Sequence, residues 1–207
     1  MTSEQEKTAI ATPNQSRNTP SPELPTPEEK KTKFWRQIRE NFQVVAIALT
    51  LAIALRIFIA EPRYIPSDSM LPTLEIGDRL VIEKVSYRFD SPHQGDVIVF
   101  IPPQQLQIQG YSKQQAFIKR VIGESGQTVA VENGTVYIND IPLVEEYIAE
   151  PPHYSLKAVT VPEDYLFVMG DNRNNSNDSH VWGFLPKNNV IGRAVIRFYP
   201  FDRLGEV

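Results

Sequence analysis

The apolar positions of the chain fall into three regimes. Up to about residue 33, Pro, Thr, Ser, Glu and Lys dominate and apolar pairs are few. So little apolar surface cannot offset the entropy of ordering, and the pattern predicts a disordered tail over 1–33. From Phe42 to Ala60 the run FQVVAIALTLAIALRIFIA is apolar on all sides, with Gln43, Thr50 and Arg56 its polar members. As a helix it spans about 28 Å, close to the hydrocarbon thickness of a bilayer. A single transmembrane helix is therefore predicted within 34–60, with Arg56 near enough to the far end to snorkel. The alternative is a buried helix of a soluble domain. All-round apolarity after a polar stretch favours the span.

Beyond residue 60 the pattern changes to short β-branched and apolar runs: Arg79–Glu83, Asp96–Ile101, Phe117–Ile122, Thr128–Val131, Thr135–Ile138, Tyr165–Met169 and Ala194–Tyr199. Asn133-Gly134, between two of them, is a strong two-residue hairpin signal. No helical periodicity of ten or more residues occurs here, though Tyr111–Ala116 could hold a short turn. Residues 61–207 are thus predicted to be mainly β, a partly closed, mostly antiparallel, barrel-like domain. Seventeen prolines and ten glycines agree with turns and short strands rather than a helical bundle.

Charge sets an orientation. Lys30, Lys31, Lys33, Arg36 and Arg39 precede the apolar run, whereas Glu61-Pro62-Arg63 follows it. The positive-inside rule then keeps the N-terminus in the cytoplasm and carries 61–207 across. Two targeting alternatives fit less well. Ala52-Ile53-Ala54 has the small-x-small form of a cleavage site but sits mid-run, and acidic residues from Glu4 to Glu29 argue against a transit peptide. The net charge of −4 offers no basic face for nucleic acid, and the absence of cysteine excludes disulfides and thiolate metal sites.

Three clusters carry candidate chemistry. Ile65-Pro66-Ser67-Asp68-Ser69-Met70-Leu71-Pro72-Thr73-Leu74 sets two serines between prolines that stiffen the backbone; an ordinary Ser-rich turn would look the same. Gln115-Ala116-Phe117-Ile118-Lys119-Arg120-Val121-Ile122-Gly123 places two cations in a strand-like apolar run. By alternation Lys119 shares a face with Phe117 and Val121, and Arg120 with Ile118 and Ile122, so one of them must lie against apolar neighbours. Lysines usually snorkel out of such places. The third cluster, Met169 to Gly183, is rich in short polar side chains and reads as an irregular loop. It is a poor calcium loop, since Arg173 occupies a would-be ligand position and no glycine stands sixth after Asp171. There is no G-x-S-x-G elbow, no H-E-x-x-H and no Walker loop; His180 near Asp178 is the one tempting element of a Ser-His-Asp triad.

Taken in order, these clusters resemble the bacterial type I signal peptidases. Pro66–Leu74 resembles the nucleophile box. Gly77-Asp78 with Leu80-Val81, and Gly95–Phe100, resemble two strand motifs. Lys119–Gly123 resembles the lysine box, and Gly170–Gly183 the final box. The resemblance implies a membrane-bound Ser/Lys-dyad endopeptidase with the β-fold shared by signal peptidases and LexA-type proteases, needing no metal or other cofactor. It would remove signal peptides from exported preproteins, with membrane lipid and, indirectly, the export machinery as partners, at a plasma or thylakoid membrane. Ser69 would be the nucleophile and Lys119 the general base. Ser67 would serve the oxyanion hole beside the Ser69 amide, and Ser176 would orient the amine. Asp171, Arg173 and Asp178 would support the site, with Arg120 pairing Asp178. Tyr64, Ile65, Pro66, Phe117 and Ile118 would form the substrate groove. The chain departs from the family pattern at Glu124-Ser125-Gly126-Gln127, at Asn174, and at His180, which stands in place of a common arginine.

The chemistry explains the odd lysine. An amine can deprotonate a serine hydroxyl only when neutral, and the ordinary lysine pKa near 10.4 forbids that at pH 7. Desolvation against apolar side chains, with Phe117, Val121 and Met70 as candidates, lowers it; a fall of about two pH units corresponds to roughly 2.7 kcal/mol. Two rival readings remain: an inactive, membrane-tethered β-module that binds extended peptides, and a self-cleaving Ser/Lys protease of the LexA type. The second would carry a DNA-binding domain where this chain has its apolar run.

Overall fold

The computed structural model describes residues 27–207; most of the expected disordered tail, residues 1–26, lies outside the described residues. Among the described residues two units are distinguished, one up to Ala48 and one from Leu49 to Val207. Helix α1 runs Pro27–Phe58, so residues 27–33, expected in the tail, are helical. Pro27 suits a first helical position because its missing N–H has no partner to lose there. The 24-residue stretch Trp35–Phe58 is long and apolar enough to cross a membrane, and none of it is buried within the protein. An unburied helix that is apolar all round is favourable in lipid, where its backbone bonds are satisfied internally.

The second unit is built on short strands: β1 Ala60–Tyr64, β2 Arg79–Glu83, β3 Val97–Phe100, β4 Phe117–Gly123, β5 Thr128–Glu132 and β6 Thr135–Ile138, followed by β7 Ile141–Pro142, β8 Leu156–Thr160, β9 Tyr165–Met169, β10 Leu185–Pro186, β11 Val190–Tyr199 and β12 Gly205–Glu206. Among the described residues they form two antiparallel sheets. The larger runs β1-β2-β11-β3-β4-β9-β10, with β12 beside β11; the smaller runs β7-β6-β5-β8. The larger sheet curls as a half-barrel whose end strands do not meet.

Burial follows the strand period of two. On β3, Val97 and Val99 join one core with Ile65, Met70, Leu74 and Ile118, while Ile98 and Phe100 join another with Val121, Leu166, Val168 and Trp182. Both faces of the central strands are therefore covered, which is why β3 reads as a continuous apolar run and β4 as one interrupted by Lys119 and Arg120. A third core fills the space between the sheets, from Ile122, Phe167 and Met169 to Val129, Val131 and Val136. The Asn133-Gly134 turn joins β5 to β6 with φ of 50° and 77°, the left-handed pair that matches strand twist.

Several features differ from the sequence-based expectation, among them β7, β8, β10 and β12, which none of the predicted runs marked. Strand β1 was hidden by Pro62 and its charges, which an end strand of a sheet tolerates. The short helix α2 forms at Gln104–Ile108 rather than within Tyr111–Ala116. Strand β11 starts at Val190, upstream of Ala194, across an irregularity between Val190 and Gly192. There a Cβ at 192 would run into the Glu83 carbonyl of β2. Gly192→Ala is accordingly expected to destabilise the β-domain by about 1–3 kcal/mol. A lowered urea midpoint checks this, and an unchanged midpoint would refute the close approach.

Candidate active site

The nucleophile candidate stands on an excursion of the chain between β1 and β2. Ile65 N–H donates to the Asp78 carbonyl and Gly77 N–H to the Ile65 carbonyl, so residues 66–76 leave and return at one point. Around the second proline the backbone closes on itself: Leu71 N–H donates to the Asp68 carbonyl at 3.0 Å and Leu74 N–H to the Met70 carbonyl at 2.9 Å. Met70 and Leu74 are fully buried and pin this turn to the core, which leaves Ser67 exposed and Ser69 half-buried.

The lysine comes from the middle of β4. In register with Ile98 of β3, it shares the face of Phe117 and Val121, while Arg120 takes the opposite face. Both cations are buried: Lys119 is 3% and Arg120 8% exposed. The Lys119 amine donates to Ser69 Oγ at 2.7 Å and to the Ile118 carbonyl at 2.9 Å. Among the described residues it makes no ion pair. Burial pushes its pKa down to about 8, against the pull of the Asp178 and Asp171 carboxylates, which raise it. Ser67 Oγ lies 3.4 Å from Ser69 Oγ. The Ser69 amide has no acceptor among the described residues.

The third cluster is the loop after β9, and it grips the nucleophile from behind. Gly170 lies so close to the Ser69 carbonyl and the Ser176 side chain that no Cβ fits. Asn172 N–H donates to the Ser69 carbonyl at 3.1 Å, and its side-chain amide to the Asp68 carbonyl at 3.1 Å. Asn175 Nδ2 donates to the Asp68 carboxylate at 2.9 Å.

The pairing of charges corrects the expectation. Arg120 pairs with Asp171, not Asp178: Nε and one terminal nitrogen reach its two oxygens at 2.9 and 2.7 Å, and Thr73 donates to the same carboxylate at 2.5 Å. Asp178 instead caps helix α3 (Ser179–Trp182), accepts from Gly170 N–H at 2.9 Å and pairs with His180 Nδ1 at 2.6 Å. His180, stacked on Tyr154 with ring centroids 4.0 Å apart, thus takes the place the resemblance gave to an arginine. Arg173 is held by Glu145 through two bonds of 2.6 and 2.7 Å. Ser176 Oγ is buried and has no hydrogen-bond partner among the described residues, so the contact with the amine expected of it is not made here; the amine meets Ser69 Oγ and the Ile118 carbonyl. Met70, expected in the wall around the amine, belongs to the opposite core.

Glu145, Tyr147, Tyr154 and Thr73 were not anticipated. Thr73 lies inside the Pro66–Leu74 box but was given no role there, the segments of the other three carry no periodicity or motif, and the roles of all four exist only across the fold.

A groove leads to the dyad. One cleft of about 210 Å³ is lined by Tyr64, Ile65, Pro66, Phe117 and Ile118 with Arg63, Val99, Gln115 and Ala116. It shares Pro66 and Gln115–Ile118 with a second, of about 270 Å³, that contains Ser67, Asp68, Ser69, Tyr111, Lys119, Asn175 and Asn177. All five expected groove residues line the first. The second is walled by Tyr111 set edge-on to Phe117, with centroids 5.2 Å apart. Because β1 ends the larger sheet, one of its edges is free to pair with an added strand.

Known proteins resemble this chain over most of its length. Residues 38–199 match the family model described as signal peptidase, peptidase S26. A probable signal peptidase I-1 of Synechocystis is 65% identical over 84% of this chain and 88% of its own length. A signal peptidase I of Leptolyngbya laminosa is 50% identical over 92% of this chain and 95% of its own. Thylakoidal processing peptidase 1 of Arabidopsis thaliana is 43% identical over 81% of this chain and 50% of its own. With a family match over most of its length and relatives this near, the chain belongs to the signal peptidase family, peptidase S26.

Proposed function

We propose that this chain removes N-terminal signal peptides from exported preproteins by Ser/Lys acyl transfer, with Ser69 as nucleophile and Lys119 as general base. The observation that carries the reading is the 2.7 Å contact between a dry amine and the Ser69 hydroxyl. The free amine accepts the hydroxyl proton as Oγ attacks the scissile carbonyl. The Ser69 amide, with Ser67 Oγ turned toward the same point, stabilises the oxyanion; such donors contribute about 3–4 kcal/mol each. Lys119 then passes its proton to the leaving amine and afterwards deprotonates the water that hydrolyses the ester.

The substrate adds as a strand between the Tyr64–Pro66 and Phe117–Ile118 segments. The Tyr111–Phe117 wall supports a preference for a small residue before the cut, as in Ala-x-Ala sites. A pure peptide-binding module has no use for a buried amine with a pKa near 8, and this favours the enzyme. We further propose that α1 spans the membrane with the Lys30–Arg39 side in the cytoplasm and the β-domain on the outer or lumenal side.

Three outcomes are expected. With a labelled precursor in detergent, Ser69→Ala and Lys119→Ala each lose at least about 10³-fold in turnover without unfolding, and replacing the Ala before the cut by Leu protects the precursor. Near-normal turnover in Lys119→Ala would remove the dyad. For pH, the active form is the deprotonated amine, so kcat/KM should rise with pH, half-maximally near 8, and level off above. A flat profile from about pH 6 to about pH 10, with the fold intact, would exclude a lysine base. For orientation, protease added outside intact cells or inside-out vesicles should digest the β-domain only where 61–207 is exposed; digestion from the cytoplasmic face would reverse the assignment.

A further inference from the structure

Two side chains near the site, that of Glu145 buried and that of Tyr147 half-buried, have no part in this chemistry and line neither cleft. Glu145 and Tyr147 follow β7, in a segment tied to the smaller sheet by Leu143 N–H donating to the Val136 carbonyl at 2.8 Å. Glu145 meets Arg173 with side-chain exposures of 5% and 0%, and both of its oxygens are engaged. A third nitrogen of that guanidinium, Nε, turns back on its own loop and donates to the Gly170 carbonyl at 2.9 Å. Gly170 is the residue packed hard against the Ser69 carbonyl, and Asn172 N–H donates to that same carbonyl. Tyr147 completes the arrangement. Its hydroxyl donates to Glu145 at 2.8 Å, and its ring lies 4.1 Å from the Arg120 guanidinium, which holds Asp171 between Gly170 and Asn172.

We propose that Glu145, assisted by Tyr147, is a positioning residue for the nucleophile: through Arg173 it locks the Gly170–Asn172 backbone against the Ser69 carbonyl and so aims Oγ. The proposal rests on the reading of Ser69 as nucleophile. Its physical basis is that Ser69 is held at two points. Lys119 holds its hydroxyl, and the loop holds its carbonyl. Arg173 keeps the loop in place only while a carboxylate balances its buried charge, because an unpaired buried guanidinium moves toward water. Tyr147 fixes Glu145 and covers Arg120 by a cation–π contact. The smaller sheet thereby acquires a role in the reaction, since it delivers the strut from outside the groove. A fault in the strut misaims the attack without disturbing substrate binding.

The test uses the full chain in detergent, with Glu145→Gln, Glu145→Asp and Tyr147→Phe beside wild type and Ser69→Ala. Measured are kcat, KM and the fraction and rate of Ser69 labelling by a fluorophosphonate. Misplacement of a reacting group by an ångström costs about 10²-fold, so Glu145→Gln is expected to lose about that in kcat, with KM changed less than about threefold. Its labelling should run slowly but reach the wild-type fraction, and Glu145→Asp should recover part of the rate. Tyr147→Phe, which removes one hydroxyl and is the milder change should Glu145→Gln fail to fold, is expected to lose several-fold in kcat. Wild-type turnover per labelled serine in Glu145→Gln, even with fewer molecules labelled, or wild-type kcat in Tyr147→Phe, would overturn the proposal. Turnover surviving in Ser69→Ala would instead overturn the reading of the dyad.

Discussion

One amine kept dry beside one hydroxyl is the constraint around which the β-domain is arranged. Lys119 lies 3% exposed on a strand covered on both faces, and its head meets Ser69 Oγ and a backbone carbonyl rather than a carboxylate. A buried ammonium without an ion pair is costly, and the protein relieves that cost by releasing the proton at a lower pH than free lysine does. The same desolvation that makes the position unfavourable for an ordinary lysine makes it suitable for a base.

Keeping that amine unpaired requires the neighbouring carboxylates to be occupied elsewhere. Asp171 is taken by Arg120 and Thr73, and Asp178 by His180, the Gly170 amide and the start of α3. Both still act on Lys119 and raise its pKa, so the value near 8 is a balance in which burial outweighs them. Were either carboxylate free to reach the amine, a direct ion pair would stabilise the ammonium and raise its pKa further. Arg120 and His180 thus hold these two carboxylates away from the amine.

The two sheets divide the work. Strands β1 to β4 and the turn after β1 bring hydroxyl, amine and groove together, with β1 at the end of the larger sheet. The loop after β9 supplies the backing for Ser69, and the smaller sheet reaches that loop through Glu145 and Tyr147. Short polar side chains such as Asn172 and Asn175 suit this loop because they bond backbone and carboxylate groups at close range without filling the groove.

Much of this was legible in the sequence because it depends on local periodicity. The apolar run before residue 60, the alternation in β4 that puts Lys119 and Arg120 on opposite faces, the Asn133-Gly134 turn and the rigid Ser67–Ser69 stretch each follow from residues close together in the chain. Ladder pairing and charge pairing do not. Arg120 could have met Asp171 or Asp178, both far away in sequence, and only packing across β4, β9 and the following loop selected Asp171. Strand β1 exists because β2 accepts it at the sheet's end, despite Pro62 and its charges. Glu145 and Tyr147 acquired partners only when the smaller sheet closed on the Gly170 loop. A residue's own face and stiffness are set by its neighbours in the chain, whereas its ion-pair partner is set by which distant surfaces exclude water together.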